Sequence, residues 1–346
     1  AGFARATRVR MGQLCMGTAA NEEVASTEIL PVVPPNQVGD IEVGIAEAAV
    51  LEHVPQHPWP AASIQALRDD GVVLISNVLS TTSAATLRGH LESKLAASLA
   101  AVTSGAANES DCFVQVLARQ ARHDLILTFE SVVVAAIAEA LQVLGPFIRG
   151  TLECDEPLLA ELGGIRSTEG APRQPIHFDN KTDCRDLPGM LTAFVALQDV
   201  DEQMGPTIFL PGTHVNLEAL RAIKSPSKKA KFLRASSIRL GTMPTGSCTL
   251  YNTTLLHAGT SNNSPRSRWL FYMSFVPALR LVISNSIRDV YKTMCQLGVH
   301  SLGELERGNI RSQDDDETKR LTALWTDQVI NDQDLNRLCD MWSQMT

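Results

Sequence analysis

The stretch RWLFYMSFV, residues 268–276, alternates two sets of side chains along its length. Its members are Trp269, Phe271, Met273 and Phe275 in one set and Leu270, Tyr272, Ser274 and Val276 in the other. A period of two indicates a β-strand. Three similar segments precede it, bounded by Gly, Pro, Asn and Asp: MLTAFVALQDV (190–200), PTIFLPG (206–212) and SCTLYNTTLLHAG (247–259). Short strands separated by turn residues predict a β-sandwich or barrel.

Helices are expected on both sides of this β-region. SIQALRDDG (63–71) predicts a helix that ends at Gly71, and VVLISNVLS (72–80) predicts a strand. Ser80 to Ser83 then supply a helix N-cap, followed by Leu87, Leu91, Leu95 and Leu99 as one buried stripe. A second helix is expected from about Phe113 to Leu144, and helices return beyond about Pro277.

These patterns divide the chain into three parts. Residues 1–57 form an N-terminal arm, residues 58–280 the β-rich domain, and residues 281–346 a helical C-terminal extension. The predicted fold class is α+β and mainly β, with helices flanking a β-core. No internal repeat is present in the sequence.

Composition excludes several classes of protein. The formal net charge of −8 argues against a general nucleic-acid binder. The seven cysteines are scattered and form no CxxC pair, which indicates a reducing intracellular compartment and no thiolate zinc site. The apolar run VVVAAIA (132–138) is far shorter than the roughly 20 residues of a membrane span, so no transmembrane segment is predicted.

The N-terminal 21 residues contain no acidic residue but include Arg5, Arg8 and Arg10. This composition is typical of the remnant of an organelle transit peptide, and equally of a disordered basic tail. A third interpretation starts the chain at Met11 as an acylation signal, MGQLCM, but the Ser or Thr wanted at its sixth position is missing. The cytoplasm and an organelle, mitochondrion or plastid, therefore stay open as the compartment.

The segment PIHFDN (175–180) places a histidine and an aspartate two residues apart. In a strand His177 and Asp179 project from the same face, which suits two ligands of one metal ion but also a surface ion pair. His257, at the end of a strand-like run, would complete a triad of two histidines and one carboxylate. This triad is typical of Fe(II) oxygenases, because it leaves coordination positions open for a chelating cosubstrate and dioxygen.

The chelating cosubstrate would be 2-oxoglutarate, whose second carboxylate also needs a partner. A guanidinium suits it, because the planar fork donates two charge-assisted hydrogen bonds and stays charged. Arg268 stands at the entry to the strand that follows His257, and Arg266, which should point the same way, is its rival.

Several ordered pieces of the sequence resemble the phytanoyl-CoA dioxygenase family of Fe(II)- and 2-oxoglutarate-dependent oxygenases. They are LRDDGVVLISNVLS (67–80), Gln174 with HFD (177–179), ALQDVDEQMGPTIFLPGTH (196–214) and HAGTSNNSPRSR (257–268). The resemblance implies a double-stranded β-helix, also called a cupin-like jelly roll. It also implies iron bound by His177, Asp179 and His257, and a cosubstrate site that includes Arg268 and Gln174.

The same resemblance implies hydroxylation of a carbon centre with 2-oxoglutarate converted to succinate and CO₂. Halogenating relatives have a small residue at the position of Asp179. The carboxylate at this position in the present chain therefore favours hydroxylation. Two features depart from the family pattern. Gly259 stands where the family often has a serine that binds cosubstrate, so Thr260 is a candidate replacement, and residues 181–191 lack the usual aromatic residue.

Other interpretations remain open at this point. The segment KSPSKKAKFLRASSIR (224–239) has six basic and no acidic residues. This composition indicates either a solvated, mobile loop or a basic segment that attracts an anionic small-molecule substrate. His214 follows a Pro-Gly turn and is expected to pack that turn. The chain could instead be a non-catalytic subunit that attaches to partner proteins through its terminal extensions, or a barrel that binds another metal without 2-oxoglutarate.

Overall fold

The computed structural model of the chain describes residues 49–50, 53–54, 61–179, 189–277 and 297–310. Most of the predicted N-terminal arm and most of the C-terminal extension therefore lie outside the described residues. Two short strands of the arm are described, β1 (Ala49–Val50) and β2 (His53–Val54). Each pairs in parallel at the edge of a different sheet.

The larger sheet contains β2 and six further strands: β3 (Val72–Ile75), β4 (Arg122–Ile126), β5 (Leu158–Ser167), β6 (Leu191–Ala196), β9 (Cys248–Asn252) and β11 (Arg268–Val276). Within the described residues the order of its strands is β2-β3-β9-β6-β11-β5-β4. The alternating segment that opened the sequence analysis is β11, which pairs antiparallel with β5 and β6. It is buried at all nine positions, because both faces of this sheet are covered.

The smaller sheet contains β1, β7 (Thr207–Phe209), β8 (Arg239–Leu240) and β10 (His257–Gly259). Within the described residues the order of its strands is β1-β8-β7-β10. An apolar cluster that includes Phe194, Phe209, Tyr251 and Leu270 joins the two sheets, so the space between them is the interior of the β-core. Two facing, mainly antiparallel sheets with flanking helices confirm the predicted fold class.

Helices cover the outer face of the larger sheet. They are α1 (Ala61–Asp70), α2 (Thr81–Ser104) and α4 (Ser131–Leu152), while the short helix α3 (Glu109–Cys112) contributes no buried residue. The side chains of Trp269, Phe271, Met273 and Phe275 pack with α2 and α4 in the largest apolar cluster. The expected cap is present, since Oγ of Ser80 accepts a hydrogen bond from the backbone N–H of Ser83.

The helix expected from about Phe113 to Leu144 is only partly confirmed. Residues 122–126 form β4, which pairs antiparallel with β5, and the helix α4 begins at Ser131 and continues past Pro146. Two alanines with positive φ, Ala118 at 53° and Ala121 at 54°, interrupt helical geometry before the strand. Pairing with the sheet edge overrides the local helical pattern here.

The prediction of a mobile loop for the basic segment 224–239 was wrong. It contains α6 (Pro226–Ala235), which follows α5 (Leu217–Ile223). Leu233 and Ile238 are buried in a cluster with Ile208 and Ala258 on the outer face of the smaller sheet. Attraction of an anionic substrate by the basic side chains stays a prediction.

A third helical region, α7 (Leu302–Glu306), follows the β-core and packs through Leu302 and Leu305. By length and composition α4 is the one described helix that could cross a membrane. Its buried residues pack against the sheet and α2, as in a core helix, so it is weak evidence for a span.

The leucine stripe of α2 is buried over only part of its length. Leu87 and Leu91 are 0% exposed and Leu95 is 3% exposed, whereas Leu99 is 37% exposed. The prediction of a buried Leu99 was wrong, because no residue of α2 beyond Leu95 belongs to the largest apolar cluster.

This difference supplies a matched pair of variants for stability. Leu91→Ala leaves a cavity against Gly164 and Trp269, so we expect it to lower the free energy of unfolding by about 2–5 kcal/mol. Leu99→Ala should change it by less than about 0.5 kcal/mol. Urea unfolding of both variants measures the difference, and equal losses would contradict the packing of α2.

Candidate metal centre and cosubstrate pocket

A pair of reciprocal backbone hydrogen bonds joins His177 to His257. The N–H of His177 donates to the carbonyl of His257 at 3.0 Å, and the N–H of His257 donates to the carbonyl of His177 at 2.8 Å. His257 lies at the start of β10, and the segment of His177 pairs with it as an isolated antiparallel bridge. This pairing brings the two imidazole rings to a centroid distance of 4.5 Å.

Asp179 completes the group two residues after His177. Its backbone N–H donates to the carbonyl of Thr253 at 2.9 Å, which fixes the end of the segment beside β9 and β10. Its carboxylate oxygens lie 3.5 Å from Nε2 of His177 and 3.4 Å from Nε2 of His257. One ligand atom from each residue lies within 4.8 Å of the others, so the three could hold one metal ion.

Backbone carbonyls orient both imidazoles. Nδ1 of His177 lies 2.8 Å from the carbonyl of Pro175, and Nδ1 of His257 lies 2.9 Å from the carbonyl of Leu255. A carbonyl accepts only from a protonated nitrogen, so in the neutral form of each ring Nδ1 carries the hydrogen and Nε2 keeps its lone pair. This is the arrangement that holds a histidine ready for metal coordination.

The electrostatics favour a negative charge at the centre of the group. The enclosing side chains oppose ionisation of Asp179, but the imidazoles of His257 and His177 hold the pKa of its carboxyl well below the usual range. Burial lowers and the Asp179 carboxylate raises the pKa of His257, which ends above its ordinary value. A carboxylate between two imidazoles is the charge distribution that a divalent cation would stabilise.

Tyr251 is a part of the site that the sequence did not reveal. Its hydroxyl donates a hydrogen bond to Oδ2 of Asp179 at 3.1 Å, and its ring lies 5.0 Å from that of His257. Burial, followed by the nearby Asp179 carboxylate, raises the pKa of Tyr251 well above its ordinary value, which keeps the hydroxyl protonated as a donor. Asn180, which follows Asp179 in the sequence and is a further candidate to orient it, lies outside the described residues.

Arg268 lies in the interior at the start of β11. It is 3% exposed, and its guanidinium donates to the carbonyl of Gly205, while its Nε has no hydrogen-bond partner among the described residues. Burial, followed by repulsion from Arg122, lowers the pKa of Arg268 to about 9, so it stays charged at neutral pH. Its rival Arg266 is exposed and pairs with Asp201.

The remaining predicted cosubstrate residues lie near β10. Oε1 of Gln174 accepts from the N–H of Gly259 at 2.8 Å, which places Gln174 beside the strand that carries His257. The hydroxyl of Thr260 donates to the carbonyl of Pro206 at 2.8 Å, and alternation in β10 directs Thr260 away from the face shared by His257 and Gly259.

His214 stands apart from this group. Its Nε2 lies 2.8 Å from the carbonyl of Arg68, and its ring fills the space beside Gly71. It packs the turn that follows β7, as the sequence predicted.

The donor set fits Fe(II). Two imidazole nitrogens and one carboxylate on one side of the ion form the facial triad of non-haem iron oxygenases. The buried guanidinium of Arg268 likewise fits the distal carboxylate of 2-oxoglutarate, because its Nε and its positive charge lack a partner among the described residues.

A jelly-roll core with a His-Asp-His group of this geometry is typical of metal-dependent oxygenases of the cupin type. The family model for phytanoyl-CoA dioxygenase (PhyH) matches residues 67–269, more than half of the chain, and the chain belongs to this family. The resemblance seen in the sequence is thereby confirmed. The protein is an enzyme of the Fe(II)- and 2-oxoglutarate-dependent oxygenase superfamily, with these two as its cofactors. A comparison with curated proteins gives no significant match.

Three solved structures are similar at low identity. The carbocyclase SnoK from nogalamycin biosynthesis is 16% identical, with 63% of this chain and 84% of that chain covered and a TM-score of 0.47. HygX from Streptomyces hygroscopicus, with nickel and 2-oxoglutarate bound, is 18% identical over 64% and 88%, with a TM-score of 0.47. EctD from S. alaskensis, with 2-oxoglutarate and 5-hydroxyectoine, is 18% identical over 67% and 81%, also with a TM-score of 0.47.

The hydrogen bond from Tyr251 leads to a test of the metal centre. Tyr251→Phe removes a donor that orients Asp179, so we expect the affinity for Fe(II) or Mn(II) to fall about 10-fold or more. Tyr272→Phe is the matched control, because this interior hydroxyl donates to Asp124 instead. Anaerobic calorimetric titration measures both, and an affinity unchanged in Tyr251→Phe would contradict the orienting role.

Proposed function

We propose that this protein is a dioxygenase that hydroxylates a small organic or lipid-like substrate, with His177, Asp179 and His257 as its iron ligands. The observation that carries the proposal is the convergence of two Nε2 atoms and one carboxylate within 4.8 Å, with His257 buried, His177 half-buried and Asp179 exposed. Three protein ligands on one side leave the other positions of a six-coordinate ion open to cosubstrate and dioxygen.

When bound, Fe(II) and 2-oxoglutarate supply an activation of dioxygen that yields succinate and CO₂ and delivers an oxygen atom to the substrate. The protein contributes position and exclusion of water. The imidazole of His257 is 4% exposed and lies beside the rings of Phe209 and Tyr251, at centroid distances of 6.2 Å and 5.0 Å. This aromatic wall keeps bulk water from the interior side of the group.

Asp179 supports hydroxylation as the type of reaction. Its carboxylate lies between the two imidazoles and occupies the third ligand position on that side. In halogenating relatives of the family a small residue at this position frees a site for chloride. A carboxylate held there by Tyr251 and by both histidines leaves no such site.

Arg268 is proposed to bind the distal carboxylate of 2-oxoglutarate. A buried guanidinium whose only hydrogen-bond acceptor among the described residues is a backbone carbonyl carries an uncompensated charge, which is costly unless an anion joins it. A dicarboxylate that chelates the metal at one end and reaches Arg268 at the other would supply that anion.

The test of this function is an assay for cosubstrate turnover. Protein purified without oxygen, then supplied with Fe(II), 2-oxoglutarate and air, should form succinate. Asp179→Ala should lower succinate formation by at least about 100-fold. Mutation of residues that only hydrogen-bond a metal ligand already lowers metal affinity or activity about 10–100-fold, and loss of a ligand itself has a larger effect. Asp69→Ala is the matched control, since this exposed carboxylate lies on α1 and accepts only from Gln65 among the described residues.

A companion measurement separates the alternatives. Anaerobic binding of 2-oxoglutarate to the Fe(II)-loaded protein does not require the unknown substrate. Metal binding without 2-oxoglutarate binding would contradict the proposal and favour a barrel with another metal. Binding of neither would favour the non-catalytic subunit.

A further inference from the structure

Two buried arginines share one row of the larger sheet. Ser167 of β5 pairs with Arg122 of β4 on one side and with Arg268 of β11 on the other. Side chains of directly paired residues project from the same face of a sheet. Leu270 of β11 and Ile165 of β5 belong to the interior cluster. Arg268 and Ser167 each lie two residues away from one of them on the same strand, so all three members of the row face the interior.

The row lacks a negative partner within the part of the chain that the structure describes. Arg122 and Arg268 are each 3% exposed, and neither has a carboxylate within ion-pair distance there. Among the described residues Arg122 donates only to backbone carbonyls, those of Ala118 at 2.7 Å, Pro172 at 3.0 Å and Leu117 at 3.4 Å. Nε of both arginines and Oγ of Ser167 have no hydrogen-bond partner among the described residues.

Without a bound anion such a row destabilises the folded protein. Two like charges repel each other, and buried polar atoms without partners cost free energy. Burial lowers the pKa of Arg122, which expresses the same cost. An anion placed in the row would compensate both guanidinium groups and offer acceptors to the three donors that lack one.

Gly259 connects this row to the metal centre. It follows His257 by two residues in β10 and shares its face, which corresponds to an advance of about 6.6 Å along the strand. A Cβ added at Gly259 would lie 2.7 Å from Oε1 of Gln174 and 3.7 Å from a terminal nitrogen of Arg122. Arg122 therefore lies beside the position where the family often has its cosubstrate-binding serine.

We propose that Arg122 replaces this serine as a second anion-binding residue, so that Arg122 and Arg268 together hold the distal carboxylate of 2-oxoglutarate. Thr260 does not take this part, because its hydroxyl donates to the carbonyl of Pro206. The inference rests on the proposed function for the identity of the anion. It goes further by naming the residue that completes the pocket in this chain.

The test compares two keto acids on the full chain. Pyruvate offers the same chelating end as 2-oxoglutarate but no distal carboxylate. Mn(II)-loaded protein is titrated with each in turn without oxygen, and displacement of metal-bound water is followed by proton relaxation. Arg122→Met should weaken 2-oxoglutarate binding about 10- to 100-fold and change pyruvate binding less than about twofold.

Three further variants make the result specific. Arg268→Met should behave like Arg122→Met, and the exposed Arg266→Met should bind both keto acids like the wild type. Arg122→Lys keeps the charge without the planar fork, so its loss for 2-oxoglutarate should be about 3- to 10-fold. Thermal unfolding of each variant shows whether it is folded, and the Lys variant provides the measurement if the Met variant is not.

Two results would overturn this inference but leave the proposed function intact. One is unchanged 2-oxoglutarate affinity in Arg122→Met or Arg122→Lys, while the wild type still prefers 2-oxoglutarate to pyruvate. The other is an equal loss for both keto acids, which would make Arg122 a structural residue. Wild-type protein that binds neither keto acid would overturn the proposed function, and this inference with it.

Discussion

The reciprocal hydrogen bonds between His177 and His257 are the constraint on which the rest of the site depends. They tie a segment outside the regular strands to the edge strand of the smaller sheet, and so bring residues 80 positions apart into register. Asp179 then follows two residues later and meets Thr253. Since each imidazole also donates from Nδ1 to a backbone carbonyl, the main chain fixes both the position and the tautomer of the ligands.

Much of the fold could be predicted because burial and period agree along the central strands. β11 alternates strictly, so RWLFYMSFV shows its two sets of side chains, and the structure places one against the helices and the other in the interior. The sequence-based predictions fail where a neighbouring element of the fold determines the local structure. Residues 122–126 form an edge strand because β5 offers a partner, and Leu99 is exposed because the apolar cluster that buries α2 ends at Leu95. Neither fact is encoded in the local pattern.

The sequence likewise predicted some residues of the candidate site and missed others. Spacing and resemblance were enough to nominate His177, Asp179, His257 and Arg268, which the fold places in or beside its interior. Tyr251 and Arg122 were missed because each lies in a strand without a motif of its own. Their places follow from strand register, which sets Tyr251 against Asp179 and Arg122 in the row of Ser167. Register is a property of paired strands, and a single sequence does not state it.

The central claim is that one metal ion binds between the two imidazoles and the carboxylate. A crystal of the protein grown with Fe(II) and without oxygen, measured on both sides of the iron absorption edge, tests it most directly. The account predicts one anomalous peak at about 2.0–2.2 Å from Nε2 of His177, Nε2 of His257 and a carboxylate oxygen of Asp179. A peak at any other group of side chains, with these three atoms left uncoordinated, would contradict it.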